Sequence, residues 1–283
     1  MCTKLVKTIG ECHHQKHRKE RSPIKNNYHT HTWRCKHAQG TDEEYILAAI
    51  AGGFTAIGLS DHGPLPYTGG YSSPVRMDLP QLQEYFGSLA ALKAKYHQNI
   101  TIHIGFEYEY LPGYMPFIRE LRKHPLVDYF LFGNHNDEDD RTGIFFGNAV
   151  SEAEIRRYEK SALTGMNTGL FSYMTHPDLF LSSYPHFDKA AKQVSRRICR
   201  EAKALHMPLE YNLHGIIKMA DGAKGIGYPS ARFWEVAAEE GCSAIIGVDA
   251  HSPGALCDPA HYAKGVQALA ALHMERVETL SFR

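Results

Sequence analysis

The chain predicts an α/β fold with a parallel sheet, and three observations predict it. From residue 24 onward, short apolar runs alternate with amphipathic helical patterns, the order expected of βαβ units. Residues able to do chemistry stand at the C-terminal end of each run, where the loops of a closed parallel barrel converge on one face. The length, 283 residues, suffices for one such barrel, which occupies about 200–250 residues.

Seven runs qualify as strands. Residues 24–31 form the first, and Thr41-Asp42-Glu43-Glu44 then spells a capping box that opens a helix through Ala51, stopped by Gly52-Gly53. Residues 54–59 form the second. Beyond a Gly/Pro-rich loop, Leu79, Leu82, Tyr85, Phe86, Leu89 and Leu92 recur at helical spacing, and extended patterns return at 100–107 and 127–133. Three helix–strand pairs follow: 151–168 with 170–175, 187–205 with 209–213, and 229–240 with 243–248. A helix over 258–272 and a short tail, 277–282, complete the pattern. Residues 1–23 are polar and basic and are expected to form a disordered tail, with residues 24–283 forming the barrel domain.

Composition narrows the functional classes. Lys plus Arg and Asp plus Glu each number 31, so no global charge favours nucleic acid or an anionic membrane, and neither is expected as a partner. No run approaches the roughly 18 apolar residues of a membrane helix. Cysteines 2, 12, 35, 199, 242 and 257 show no C-x-x-C pair, as expected where thiols stay reduced, and a cytoplasmic location follows as the expectation. The sequence leaves room for a homo-oligomer. The unusual number is 18 histidines.

Those histidines gather at the strand ends. The first run ends in His29-Thr30-His31, with His37 beyond it, and the second in Ser60-Asp61-His62-Gly63. Glu107, His135, His176 and Asp249-Ala250-His251 end later runs. Side chains two apart on a strand share a face, so His29 with His31, and Asp249 with His251, can each address one cluster of cations. Seven imidazoles and two carboxylates exceed the four ligands of a structural zinc site, which implies more than one metal. Mixed nitrogen and oxygen donors favour Zn, Mn or Fe over Mg or Ca. Glu107 is the natural bridge, although Glu109 shares its strand parity and competes for the role. A hydroxide between the metals would be the nucleophile. Asp61 and Asp178 either orient imidazoles or cap turns, and His103 reads as a core histidine below the site.

The ordered set His29-Thr30-His31, Ser60-Asp61-His62-Gly63-Pro64, Gly105-Phe106-Glu107, Gly133-Asn134-His135, Thr175-His176-Pro177-Asp178-Leu179 and Gly247-Val248-Asp249-Ala250-His251 resembles the PHP (polymerase and histidinol phosphatase) superfamily. The resemblance implies a distorted (β/α)7 barrel with two or three divalent metal ions. One site would use His29, His31, Glu107 and Asp249, a second Glu107, His135 and His176, and a third His37, His62 and His251.

Within that superfamily, the loop at 60–66, the His-Pro-Asp-Leu segment and Glu275-Arg276-Val277-Glu278-Thr279 resemble the histidinol-phosphate phosphatases. This implies a phosphomonoesterase of histidine biosynthesis that cleaves L-histidinol phosphate through a metal-bridging hydroxide. A nucleotide or another small phosphorylated metabolite is the alternative substrate, and a metal-binding accessory module the alternative class. Where those phosphatases commonly carry basic and small hydroxyl residues, this chain has Phe180-Leu181-Ser182-Ser183 and Asn212-Leu213-His214-Gly215. Arg156, Arg157 and Lys218, with Arg141, are therefore the candidate phosphate-binding cations, and His214 is the candidate acid for the leaving alkoxide, or else a wall of the pocket.

Overall fold

The computed structural model describes residues 25–220 and 225–282. Among these residues seven strands form two parallel sheets. The first sheet has the order β1 (Asn26–Asn27), β2 (Ala56–Leu59), β3 (Thr101–Tyr108) and β4 (Tyr129–Phe132). The second has β5 (Leu209–Asn212), β6 (Ser243–Gly247) and β7 (Glu275–Arg276).

Two short junctions join the sheets into a ring. Met174 bridges Phe132 on one side and Leu209 on the other, and Thr30 bridges Ala250. The expected strand over 170–175 is therefore reduced to an extended stave. Its amides reach both neighbours, Thr175 donating to Phe132 O and Met174 to Pro208 O, but Pro208 has no N–H to return. The first expected strand is likewise shortened to β1 plus a bridge, because the Asn27 side chain takes the ladder's place, accepting from Val248 N at 2.8 Å. The structure adds β7, on residues just before the expected tail.

Helices cover the outside: α1 (Asp42–Ala51), α2 (Leu82–Lys95), α3 (Met115–Leu121), α4 (Glu152–Met166), α5 (Lys189–Ala204), α6 (Leu213–Ala220), α7 (Ala231–Glu239), α8 (Gly254–Cys257) and α9 (Pro259–Ala271). Thr41 caps α1 and Ser151 caps α4 through complete capping boxes with Glu44 and Glu154, each worth about 1 kcal/mol. Short α3 was not marked by the sequence pattern, and Leu213, expected to end a strand, instead starts α6.

Strand parity sorts the side chains into two cores. Ile102, Ile104, Phe106 and Tyr108 face the helices in the larger apolar cluster. Tyr129, Leu131, Tyr173 and Ile245 form the smaller cluster with Tyr28. Gly58 and Gly105 make room for the Tyr129 ring, since a Cβ at Gly58 would sit 2.1 Å from its hydroxyl. Val277, Leu280 and Phe282 of the tail pack on the same cluster, with the Phe282 ring 5.2 Å from Tyr129 and 4.4 Å from His103. The tail thus fills the floor of the ring and leaves the mouth to polar residues. The basic segment 1–23 lies outside the described residues.

Candidate metal centre

The same parity that directs Gly105 inward carries Glu107 to the mouth, and this carboxylate stands between two groups of imidazoles. Glu107 Oε2 lies 3.4 Å from His29 Nε2, 3.6 Å from His31 Nε2 and 3.3 Å from His62 Nδ1. Oε1 lies 3.1 Å from His176 Nε2 and 3.6 Å from His135 Nε2, and accepts from the Thr175 hydroxyl. Asp249 Oδ1 closes the first group, 3.4 Å from His29 Nε2 and 3.1 Å from His31 Nε2. Within each group two imidazole nitrogens face one another, His29 and His31 at 3.0 Å, His135 and His176 at 3.1 Å.

The third expected group is arranged differently. His31, His62 and His251 bring donor atoms within 4.8 Å of one another, whereas exposed His37 shares such a group with Cys35 and His251. The His37 ring is 5.4 Å from His62 and 4.9 Å from His251, so all three expected residues remain neighbours.

His29, His135 and His31 each have a carboxylate behind them, whereas His176 Nδ1 is buried without a partner. Glu210 Oε1 is 2.8 Å from His29 Nδ1, while Oε2 accepts from His176 N at 3.0 Å and Asn212 Nδ2 at 2.8 Å. Glu109 sits behind His135, 3.0 Å from its Nδ1, and is held by the buried Arg76 guanidinium. Asp61 stands 3.5 Å from His31 Nδ1. Glu109 thus faces the far nitrogen of His135 and Glu107 the near one, and Glu109 also shares a group of donor atoms within 4.8 Å of one another with His62 and His135. Asp178 instead accepts from Ser230 N at 2.6 Å, tying down the start of α7. Sequence reasoning gave no role to Glu210 or to Arg76.

The backbone is strained at two of these residues: His176 has φ 26° and Asp249 φ 51°, each costing on the order of 1–3 kcal/mol for a non-glycine residue. Burial opposes ionisation of Glu107 and Asp249, yet the surrounding imidazoles hold both carboxyls well below their usual range. Burial, helped by His31, keeps His62 and His251 neutral, pushing His251 down to about 2.

This donor set fits divalent cations. Glu107 Oε2 and Asp249 Oδ1 are buried without a hydrogen-bond donor, and against the opposing effect of burial the carboxylates around His29, His31 and His135 push those imidazoles up, so the cluster carries buried negative charge that cations would balance in place of protons. His29, His31, Asp249 and Glu107 would hold one cation, His135, His176 and Glu107 another, and His62, His251 and His37 would complete the cluster.

Of the expected phosphate-binding cations, Arg141, Arg156 and Arg157 do not line this mouth. A cavity of about 510 Å³ opens there, and neither Arg156 nor Arg157 lines it. Both lie on α4, where local acids claim them: Arg156 pairs with Glu152 and Glu159, and Arg157 with Asp137. Arg141 is likewise committed, to Asp139. The Lys218 side chain lies outside the described residues. His214, at the start of α6, does line the cavity, its ring stacked 4.9 Å from His251, as does Arg76.

A parallel ring of strands with a histidine- and carboxylate-lined mouth defines a metallohydrolase-type barrel. The chain belongs to the PHP domain family, whose profile matches residues 27–214. It is similar to a probable histidinol-phosphatase of Deinococcus radiodurans, with 29% identity over 80% of this chain and 86% of that protein. A probable histidinol-phosphatase of Schizosaccharomyces pombe shares 25% identity over 82% of this chain and 81% of its own. In fold it resembles the histidinol phosphate phosphatase of Lactococcus lactis subsp. lactis, crystallised with zinc, L-histidinol and phosphate. That likeness has a TM-score of 0.69 at 18% identity, covering 91% of this chain and 98% of the other. Among the described residues no helix is long and apolar enough to cross a membrane.

Proposed function

We propose that this protein is a metal-dependent phosphomonoesterase that hydrolyses L-histidinol phosphate to L-histidinol and phosphate, using two or three divalent ions of zinc, manganese or iron. The observation that carries the reading is Glu107, whose two oxygens each face a separate group of imidazoles within 3.1–3.6 Å. The names of the two curated relatives, and the ligands of the Lactococcus lactis structure, support the substrate. Residues 24–283 act as one catalytic unit in this reading.

Bound cations would supply Lewis acidity to the phosphoryl oxygens and lower the pKa of water toward neutrality. The chain's own residues set the geometry. Glu210 keeps the His29 proton on Nδ1 and so leaves Nε2 as a donor, and Glu109 does the same for His135. Glu107 holds the two groups at a fixed separation. His214, at the mouth beside His251, hands its proton to the departing alkoxide.

The test is phosphate release by metal-loaded full-length protein from L-histidinol phosphate and from nucleoside monophosphates. A preference of about tenfold or more for L-histidinol phosphate, some 1.4 kcal/mol in transition-state binding, is expected. An equal preference for nucleotides would retire the substrate. Loaded protein inert toward every phosphoester, including an aryl phosphate, would retire the enzyme.

A further inference from the structure

One wall of the mouth cavity is built unlike the rest. The chain leaves His135, makes a hairpin and returns, with Asn136 and Phe145 in an antiparallel bridge and Phe146 N donating to His135 O at 2.7 Å. Asp140, inside this hairpin, accepts from Tyr67 Oη at 2.6 Å, Ser73 Oγ at 2.5 Å, and Arg76 Nε and Nη2 at 2.8 and 2.7 Å. Arg76 continues to Glu109, behind His135. The hairpin and the loop carrying Val75 are thereby locked to each other and to the metal centre.

On this fixed wall two large apolar side chains remain open to solvent, Phe145 at 43% and Val75 at 41% exposure, and both line the cavity that holds His135, His176 and Asp249. The Phe145 ring lies down on Gly147, where a Cβ would fall 2.4 Å from ring atom Cε1. One side of the ring is therefore covered by backbone, while the residue stays exposed at the cavity. An exposed aromatic ring, immobilised beside a catalytic centre, is suited to stack a planar group with little ordering cost.

We propose that Phe145, backed by Val75, is the platform for the planar ring of the substrate's alcohol, and so selects a ring-bearing phosphomonoester over a ringless one. The proposal rests on the phosphomonoesterase reading and deepens it: the phosphoryl group lies against the histidines, and the imidazole of L-histidinol phosphate stacks on Phe145.

The experiment compares metal-loaded wild type, Phe145→Ala and Phe145→Trp, measuring KM and kcat for L-histidinol phosphate and for p-nitrophenyl phosphate, and Ki for inorganic phosphate. Phe145→Ala should raise KM for both ring-bearing esters by about tenfold, the upper part of the range for an aromatic pair, with kcat and phosphate Ki within about twofold. Phe145→Trp should restore KM. A parallel rise in KM and phosphate Ki, or a fall in kcat alone, would show that the ring only supports the metal centre and overturn the proposal, as would unchanged KM. Wild type that hydrolyses p-nitrophenyl phosphate but not L-histidinol phosphate would overturn the substrate assignment, while KM for the aryl ester still decides the role of Phe145.

Discussion

Replacing Glu210 by glutamine keeps the shape of the side chain and exchanges one acceptor for a donor. Glu210 Oε2 receives two N–H groups, His176 N at 3.0 Å and Asn212 Nδ2 at 2.8 Å, so the amide oxygen of Gln takes that position. The amide NH₂ then faces His29 Nδ1, 2.8 Å away, and forces that nitrogen to accept. The His29 proton moves to Nε2, the atom directed at Glu107 Oε2, Asp249 Oδ1 and His31 Nε2. A protonated Nε2 cannot ligate. Altering the group behind a metal-bound imidazole costs about 10–100-fold in metal affinity or activity, which is about 1.4–2.7 kcal/mol. Stability of the metal-free protein should fall by only about 1 kcal/mol, the difference between a charge-assisted and a neutral hydrogen bond. The assay is metal titration against a chromophoric chelator, with urea denaturation of the metal-free protein alongside. Metal affinity within twofold of wild type would refute the claim that Glu210 sets the tautomer of His29.

Arg76→Gln leaves Glu109 and Asp140 buried without their cation, and urea denaturation should show a loss of about 3–5 kcal/mol. Alanine at both Arg156 and Arg157 should keep kcat/KM within about twofold, since neither lines the cavity; a tenfold loss in phosphate-release kinetics would place one of them on the substrate. Removal of divalent ions by chelation should abolish activity and lower the calorimetric Tm. The stabilisation restored by metal should reach about 4 kcal/mol for each site at a thousandfold excess over Kd.

The sequence carried the inward and outward alternation of β3, because a two-residue period over 101–108 distinguishes Gly105 and Glu107 from Phe106 and Tyr108 without knowledge of any partner. The histidine clusters were legible for the same reason, each motif standing at the end of an apolar run. Glu210 was not, since its role is defined by His29, 181 positions away, and nothing local separates it from an ordinary strand residue. Arg76 lies in an irregular loop whose destination only the Asp140 and Glu109 contacts reveal. Arg156 and Arg157, expected at the mouth, are paired elsewhere: i,i+3 and i,i+4 acids on the same helix claim Arg156, and Asp137 across the loop claims Arg157. The shortened first strand depends on a side chain, Asn27, acting in place of backbone, which no propensity encodes.

The joining of Asn26 to Glu278 O, 252 positions apart, and of Asn27 to Val248 N, 221 positions apart, has a consequence for biogenesis. A chain emerging from the ribosome carries an unclosed ring until nearly all of these residues have been synthesised, with the edges of β1 and β6 unpaired in the meantime. Closure then links segments separated by almost the whole polypeptide, a high contact order that slows the final step and makes it the interval when chaperone capture matters most.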